Sequence, residues 1–204
     1  MNKHGLREIK REATAHALAD AAFELTMERG LDGFVVEDVV QRAGYSRRTF
    51  ANYYSCKEEA VASAAESTKN VDEVRALFER LPDSTTPLEV MYQLTKLQFT
   101  GEYLRKMRQL VVLSKQYPTL EPYLLSVLRR SLASSQEVLN RLFPNRYPEG
   151  YTHMLAGALN GALVPLMDGS LNVLLPGDSP EEYPEATTFD DYLETIYGYL
   201  RNGF

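Results

Sequence analysis

The sequence predicts an all-α fold, and three observations support this prediction. Apolar residues recur three and four positions apart along most of the 204 residues, as they do on the buried face of a helix. Ser55–Glu58 and Thr86–Glu89 have the Ser/Thr-x-x-Glu pattern of a capping box, which begins a helix. No segment of useful length alternates apolar and polar residues as a half-buried strand does.

The first predicted elements are an N-terminal arm and a long helix. Met1–Ile9 is polar and basic and is expected to be the arm. Lys10–Arg29 is rich in alanine, a strong helix former, and it places Leu18 and Leu25 on one apolar stripe. Gly30 then ends this helix.

The next segment has the pattern of two short helices joined by a tight turn. The apolar residues of Val36–Ala43 fall on one face of a helix. Gly44 tolerates the left-handed conformation that ends a helix sharply, and Ser46 is a suitable N-cap for a second helix, Arg47–Tyr54. The segment therefore predicts a helix-turn-helix.

The second of these helices has few apolar residues, since only Phe50 and Tyr54 form a narrow apolar edge. Its other faces carry polar and basic side chains, namely Arg47, Arg48, Thr49, Asn52 and Tyr53. A short helix of this kind suits the major groove of DNA. Because Arg48 and Asn52 lie four positions apart, we expect both to contact base edges, arginine at guanine and asparagine at adenine.

Charge is distributed unevenly along the chain. The formal net charge is −6, yet residues 41–57 hold four basic residues and no acid. Between Tyr147 and Leu200 there is no Lys or Arg, while Asp and Glu accumulate. This asymmetry favours a basic, DNA-facing end, although a solvated pair of helices gives the same charge pattern.

The rest of the chain is also predicted to be helical, with a loop over Pro176–Ala186. The expected helices are Ser55 to about Arg80, Thr86–Phe99, Glu102–Gln116, Tyr123–Phe143, Tyr151–Leu175 with a kink at Pro165, and Thr188–Arg201.

Composition and motifs argue against several other classes of protein. The single cysteine, Cys56, forms no internal disulfide, which fits the cytoplasm, and no apolar run reaches the roughly 18 residues of a membrane span. The histidines His4, His16 and His153 lack metal-ligand spacing, and there is no Gly-rich phosphate loop or nucleophile elbow. We therefore expect no catalytic residue, cofactor, metal or membrane association. A helical enzyme or a protein-binding adaptor is the less favoured alternative.

Residues from about Leu18 to Val61 resemble the DNA-binding domain of the TetR family of transcriptional regulators, and the run RRTF followed by NYYSCKEE is a specific signature. The matching residues are Ala22, Phe23, Leu25, Gly30, Phe34, Val36, Val39, Ala43, Gly44, Ser46, Arg48, Thr49, Phe50, Tyr53, Tyr54, Lys57 and Glu58. The remainder of the chain resembles the family only in its length and helical character.

The resemblance implies a homodimer with two domains. Residues 1–56 are expected to form the helix-turn-helix DNA-binding domain with its basic arm, and residues 57–204 a helical effector-binding and dimerisation domain. The implied function is repression at a palindromic operator, with release by a small, largely apolar effector. An activator or a ligand-independent DNA-binding protein is the alternative.

Three residues depart from the family pattern: Val35 and Ala51 weaken the expected binding of phosphate, and Tyr45 stands where a small apolar residue is common. Val35 stands where a threonine usually caps the first helix of the motif, and Ala51 stands where an aromatic residue is frequent. We expect Asp38 or Glu37 to satisfy the helix-end amides and Tyr45 to restore a phosphate contact. The other expected backbone contacts are Arg47, Thr49, Tyr53 and Lys57.

The helices between Val61 and Met167 are expected to enclose the effector. The expected lining residues are Tyr92, Phe99, Tyr103, Met107, His153, Asn160, Val164 and Met167. A stripe of Met and aromatic residues is also typical of an ordinary core, so that alternative remains. The dimer surface is expected on Tyr151–Leu175, which carries Gly157 and Gly161, and on the last helix, through Leu193, Ile196, Tyr197 and Leu200.

Overall fold

The computed structural model describes residues 3–66, 71–82, 84–179, 181, 183 and 185–203. Helices dominate these residues, which confirms the all-α prediction. The α-helices are α1 (Lys3–Arg29), α2 (Val36–Ala43), α3 (Arg47–Ala51), α4 (Lys57–Ser63), α5 (Val71–Arg80), α6 (Pro87–Gln98), α7 (Gly101–Gln116), α8 (Glu121–Leu142), α9 (Glu149–Met167) and α10 (Phe189–Asn202). Short 3-10 turns occur at Leu31–Gly33 and Pro118–Leu120.

Several helix boundaries differ from the predicted ones. Helix α1 begins at Lys3, so the predicted arm is helical from that residue, while Met1 and Asn2 lie outside the described residues. Helix α3 ends at Ala51 because the next amides bond to carbonyls three residues back, as Tyr53 N–H does to Phe50. The predicted fourth helix corresponds to α4 and α5, and residues 67–70 between them lie outside the described residues.

The end of α9 was predicted eight residues too late. The helix ends at Met167, where Asp168 Oδ1 accepts a hydrogen bond from Ser170 N–H and Gly169 adopts a φ of 72°. The apolar residues that follow form strand β1 (Val173–Leu174), which pairs in parallel with β2 (Thr187–Thr188). Asp168, Gly169 and Ser170 are turn residues that mark this break, but the apolar residues on both sides of them favoured one long helix in the prediction.

Side-chain caps fix several of the helix starts, among them those of α3, α4, α6 and α10. The capping box at Thr86 is confirmed, since Glu89 N–H donates to Thr86 Oγ1 and Thr86 N–H donates to Glu89 Oε2. The capping box predicted at Ser55 is wrong by one residue. Cys56 Sγ caps α4 by accepting from Glu59 N–H, and Glu59 Oε2 accepts from the N–H and hydroxyl of Ser55.

The chain divides into two compact units. The first comprises the described residues up to 66 together with Val112–Val127. Its core residues include Leu18, Ala22, Leu25, Leu31, Phe34, Val39, Phe50, Val61 and Leu120, each at most 3% exposed. Helix α1 packs against α2 and α4, and this packing positions the helix-turn-helix. Val36 and Tyr54, both predicted to lie on apolar helix faces, are only half-buried.

The second unit comprises the described residues of 69–111 and 128–204. Its core includes Met91, Leu94, Leu104, Met107, Leu139, Leu159, Leu166 and Leu193. Arg108 Nε donates to the carbonyl oxygen of Leu166 at 2.9 Å, which ties α7 to the end of α9. Among the described residues, none of the helices combines the length and apolarity that crossing a membrane requires.

Candidate nucleic-acid interface

Helix α2 begins without a capping side chain on its N-cap, Val35. Val35 is 56% exposed, and its backbone N–H donates to Asp38 Oδ2 at 2.9 Å. This bond confirms the expectation that Asp38 satisfies an amide at the helix end. The Asp38 carboxylate, which belongs to the first turn of α2, therefore caps the helix. The exposed, apolar side chain of Val35 remains at the edge of the motif.

The turn between α2 and α3 has the geometry that its residues predict. Gly44 is left-handed, with φ 74° and ψ 30°, and Tyr45 N–H bonds back to the carbonyl oxygen of Val40 at 2.9 Å. Ser46 Oγ caps α3 by accepting from Thr49 N–H at 3.1 Å. Phe50, 3% exposed, anchors the helix in the core. The helix is thus held at its start and along its buried edge.

Most of the predicted DNA contacts lie in α3 or next to it and differ in exposure. Arg47, Arg48 and Asn52 are exposed, whereas Thr49 and Tyr53 are half-buried. Arg48 lies in α3 and Asn52 is the C-cap of the same helix, so one turn separates them. Tyr45, 38% exposed, precedes the helix. The contacts of these side chains with DNA remain a prediction.

Arg47 has an acidic neighbour that the sequence did not indicate. Its Nη1 lies 2.5 Å from Glu37 Oε1 of α2, and both side chains are largely exposed. A phosphate at this position would have to compete with the Glu37 carboxylate. Exposed pairs of this kind contribute only about 0–1 kcal/mol, so the competition is weak.

Lys57 is occupied within its own domain. Its Nζ donates to the carbonyl oxygens of Leu31 and Phe34, at 2.6 and 2.9 Å, and lies 5.0 Å from the centroid of the Phe34 ring. An ammonium has three N–H donors, so at most one remains for a phosphate. The predicted phosphate contact is untested, but the observed role of Lys57 is to join α4 to the segment before α2.

Arg42 joins α2 to α1 and was not among the predicted functional residues. It binds the carboxylate of Glu28 through two parallel hydrogen bonds of 2.7 and 2.6 Å. These hydrogen bonds are the main reason that the pKa of Glu28 is lowered and the pKa of Arg42 is raised. Arg42 thus contributes positive charge to the segment while serving to orient the motif.

The turn between α7 and α8 completes the first unit, although it lies more than 50 residues beyond the motif. Leu120 is fully buried, and Tyr117 Oη lies 2.7 Å from the position that a β-carbon on Gly30 would take. The hydroxyl of Tyr123 is hydrogen-bonded to the Cys56 thiol, which raises the pKa of Tyr123. No local sequence signal links these residues, because their contacts are purely tertiary.

The predicted effector-binding residues do not form one group. Phe99 and Asn160 line a small cavity of about 20 Å³ between α6, α8 and α9. Met107 and Met167 lie in the core, and Tyr103 is half-buried, with a pKa that burial of its hydroxyl raises to about 12. The remaining three, Tyr92, His153 and Val164, are not among the residues that line this cavity.

The exposed members of that group have other surroundings. His153 is exposed, and its Nδ1 is hydrogen-bonded to Gln136 Oε1 at 3.2 Å. Val164 is 42% exposed. Across the described ranges, no three His, Cys, Asp or Glu side chains come together in a way that could hold a metal ion.

Known proteins resemble both the motif and the fold. Residues 18–64 match the family model for bacterial regulatory proteins of the tetR family. The uncharacterized HTH-type transcriptional regulator YvdT of Bacillus subtilis (strain 168) is 30% identical over 82 residues, which are 39% of this chain and 42% of YvdT. The match therefore spans about two fifths of the length of that relative.

The fold is also similar to that of a provisionally assigned TetR-family transcriptional regulator from Mesorhizobium loti MAFF303099, known from its crystal structure. The similarity covers 92% of this chain and 96% of that one, with a TM-score of 0.52 and 18% identity. At this identity the likeness shows the fold alone. Residues 18–64, with the helix-turn-helix at their centre, therefore form a domain of the kind found in bacterial regulatory proteins of the tetR family.

Proposed function

We propose that the protein is a dimeric repressor that binds a roughly palindromic operator and is released by a small effector. The surface of α3 carries the proposal. Arg48 and Asn52 are both exposed, one turn apart, on a helix that Phe50 and the Ser46 cap hold in place. Two side chains presented in this way suit bidentate contacts with guanine and adenine in the major groove.

Arg48 and Asn52 specify the sequence in this proposal, and the surrounding side chains position the protein. Arg47, Thr49, Tyr53 and Tyr45 contact the phosphate backbone, which fixes the register but carries no sequence information. The recognition helices of two protomers enter successive major grooves about 34–36 Å apart. The operator is therefore expected to have two half-sites separated by one helical turn.

A footprinting and gel-shift experiment on the DNA upstream of the gene tests this function. The purified protein is expected to protect one palindromic site and to lose affinity steeply as the salt concentration rises. Arg48→Ala is expected to abolish the selective shift while leaving the free energy of unfolding unchanged, since Arg48 is exposed. Equal binding of the upstream DNA and unrelated DNA would overturn the proposal.

Dimerisation is proposed to use the exposed faces of α9 and α10. Met154 and Val164 are 64% and 42% exposed on α9, and Tyr199 is 57% exposed on α10. Gly157 lies between the first two and leaves open space where a β-carbon would stand, which allows close approach of another helix. Two of the residues predicted for this surface, Leu193 and Tyr197, are instead 0% and 3% exposed in the core of their own chain.

Sedimentation velocity on Met154→Glu tests this surface. The variant is expected to sediment as a monomer, because an unpaired charge at the centre of the interface is costly to desolvate. Leu125→Glu, at an exposed leucine of the first unit, is the control and is expected to remain dimeric. Dimers for both variants would exclude the proposed surface.

The effector is proposed to enter the cavity between α6, α8 and α9. Its lining contains hydroxyl and amide groups, among them Ser131, Ser135 and Asn160, and no ionisable side chain. A volume of about 20 Å³ holds no more than a water molecule, so an uncharged effector has to displace side chains as it enters. Such a ligand changes DNA binding only if it binds one conformation of the dimer better than the other.

A thermal-shift screen with neutral, largely apolar compounds tests the cavity. Asn160→Ala is expected to abolish stabilisation by any compound that stabilises the wild type, because Asn160 lines the cavity. His153→Ala is the matched control on the same helix and is expected to respond like the wild type. The opposite pattern would move the effector site to the exposed side of α9.

A further inference from the structure

A second and larger cleft lies in the second unit, between α6 and α10. Its volume is about 300 Å³, which is the lower end of the range found for small-molecule sites. The floor includes Leu88 and Tyr197, which are 9% and 3% exposed. None of the residues that line the cavity proposed for the effector lines this cleft.

The aromatic part of the cleft is held in place before any ligand arrives. The rings of Tyr92 and Tyr197 meet edge to face, with their centroids 4.7 Å apart. The Tyr197 hydroxyl lies 3.3 Å from Thr95 Oγ1, so its polar end has a partner on α6. A site built in this way requires little ordering when a ligand binds, which favours affinity.

The ionisable groups around the cleft leave an excess of one negative charge. Two carboxylates, Glu89 and Glu194, line it together with one guanidinium, Arg201. Hydrogen bonds from Thr86 and, to a lesser degree, the charge of Arg201 lower the pKa of Glu89, so Glu89 is ionised and faces an opposite charge. Glu194 is the remaining carboxylate, on the helix that carries Tyr197.

Another cation lies close by but is already paired. Lys96 Nζ is 2.8 Å from Asp190 Oδ1 and 5.5 Å from the centroid of the Tyr92 ring. This arrangement offsets the charge of Lys96 and shows that the Tyr92 ring accommodates a cation beside it. Aromatic rings and an uncompensated carboxylate are the two features that attract organic cations.

We propose that this cleft binds a small organic monocation with an apolar body, such as a quaternary ammonium compound. The apolar body packs on Leu88 and the tyrosine rings, and the positive charge lies near Glu194. An anion is disfavoured because the one guanidinium lining the cleft is offset by Glu89. This binding requires no DNA and so does not depend on the proposed function.

Isothermal titration calorimetry of the full-length protein tests the proposal with three aromatic probes of similar size. Phenyltrimethylammonium is the cation, benzyl alcohol the neutral probe and phenylacetate the anion. The cation is expected to bind at least about threefold more tightly than either of the others, as one moderately exposed charge interaction implies. Equal affinity for all three, or tighter binding of phenylacetate, would overturn the proposal.

Two pairs of variants locate the binding. Glu194→Gln is expected to weaken binding of the cation about three- to tenfold. Glu102→Gln removes the same charge at an exposed site on α7 outside the cleft and is expected to change nothing. If both variants weaken binding equally, the effect is one of overall charge and the cleft is not the site.

Gly198 supplies a steric test that does not endanger the fold. A β-carbon at this helical position meets no atom within 4 Å, and the residue lines the cleft. Gly198→Leu is expected to fill the cleft and abolish binding, whereas Gly198→Ala is expected to keep it. Both substitutions favour the helix, so a loss confined to the leucine variant reports occupancy of the cleft. Wild-type affinity in Gly198→Leu would overturn the assignment.

Discussion

The ammonium nitrogen of Lys57 lies 2.6 Å from the carbonyl oxygen of Leu31. Leu31 begins the short 3-10 turn that precedes α2, and Lys57 begins α4, so one side chain joins the two flanks of the helix-turn-helix. A lysine in the first turn of a helix is opposed by the helix dipole. Here the hydrogen bonds to two backbone carbonyls account for its presence without any ligand.

Replacing Lys57 is therefore expected to destabilise the first unit. Lys57→Met keeps most of the aliphatic stem but leaves the carbonyls of Leu31 and Phe34 without their donor. The free energy of unfolding, measured by urea denaturation, is expected to fall by about 1.5–3 kcal/mol, the value of hydrogen bonds to a charged group. Arg48→Ala is the control and is expected to leave it unchanged. Full wild-type stability in Lys57→Met would show that these bonds are unimportant.

The salt dependence of DNA binding separates the two roles of Lys57. A direct phosphate contact would lower the slope of log affinity against log salt concentration by about one when Lys57 is replaced. A purely structural role predicts an unchanged slope at a temperature where the variant remains folded.

Gly30 is expected to resist substitution because of both its backbone and its neighbour. Its φ of 73° and ψ of 162° lie in a region that is essentially restricted to glycine, and Tyr117 Oη lies 2.7 Å from the position of a β-carbon. Gly30→Ala is expected to lower the free energy of unfolding by about 2 kcal/mol or more.

Two variants separate these causes. Gly44→Ala also requires a positive φ but meets no neighbouring atom within 4 Å, so it is expected to cost only about 1–2 kcal/mol. Tyr117→Phe removes the clashing hydroxyl and is expected to reduce the cost of Gly30→Ala. If Tyr117→Phe makes no difference to that cost, the turn between α7 and α8 does not pack on Gly30 as described.

Stability is expected to fall at alkaline pH because of buried tyrosines. Burial raises the pKa of Tyr103 from its ordinary value of 10.0 to about 12, so the unfolded chain releases its proton first. The stabilising contribution of neutral Tyr103 is therefore complete below pH 10 and is lost as the pH rises from about 10 to 12. The loss in the free energy of unfolding is on the order of 2 kcal/mol.

Urea denaturation between pH 8 and pH 12 measures this effect. Tyr103→Phe preserves the edge-to-face contact with Phe99 and is expected to flatten the decline. Part of the decline is expected to remain, because burial also raises the pKa of Tyr197. Tyr45→Phe, at an exposed position, is the control and is expected to retain the wild-type curve. An identical decline in Tyr103→Phe would assign the effect to other groups.

Local signals in the sequence predicted most of the helix-turn-helix. Gly44 ends α2 and Ser46 begins α3 through dihedral angles and hydrogen bonds that involve residues at most four positions away, so the sequence indicates them directly. Thr86 begins α6 in the same way. The same reasoning misplaced the cap of α4 by one residue. Ser and Cys are adjacent there, and the thiol of Cys56 serves as the cap while Ser55 donates to Glu59.

Tertiary contacts account for what the sequence did not show. Lys57 and Tyr123 bond to partners 23 or more residues away, so neither local spacing nor residue type indicated those partners. Gly157 and Gly161, which were predicted for a dimer surface on α9, are both exposed, but Leu193 and Tyr197 of α10 turned out to be core. An amphipathic helix shows its apolar face without showing which neighbour covers it.

The most direct test of DNA recognition is the ratio of affinities for the footprinted operator and for a variant operator with one adenine replaced. Fluorescence anisotropy gives both affinities for the wild type, Asn52→Ala and Arg47→Ala over a range of salt concentrations. Asn52→Ala is expected to reduce the ratio by an amount equivalent to about 1–3 kcal/mol with an unchanged salt slope, and Arg47→Ala to lower the slope by about one with an unchanged ratio. If both variants instead weaken binding to the two DNAs equally, α3 does not read bases through Asn52, and the account of recognition given above is contradicted.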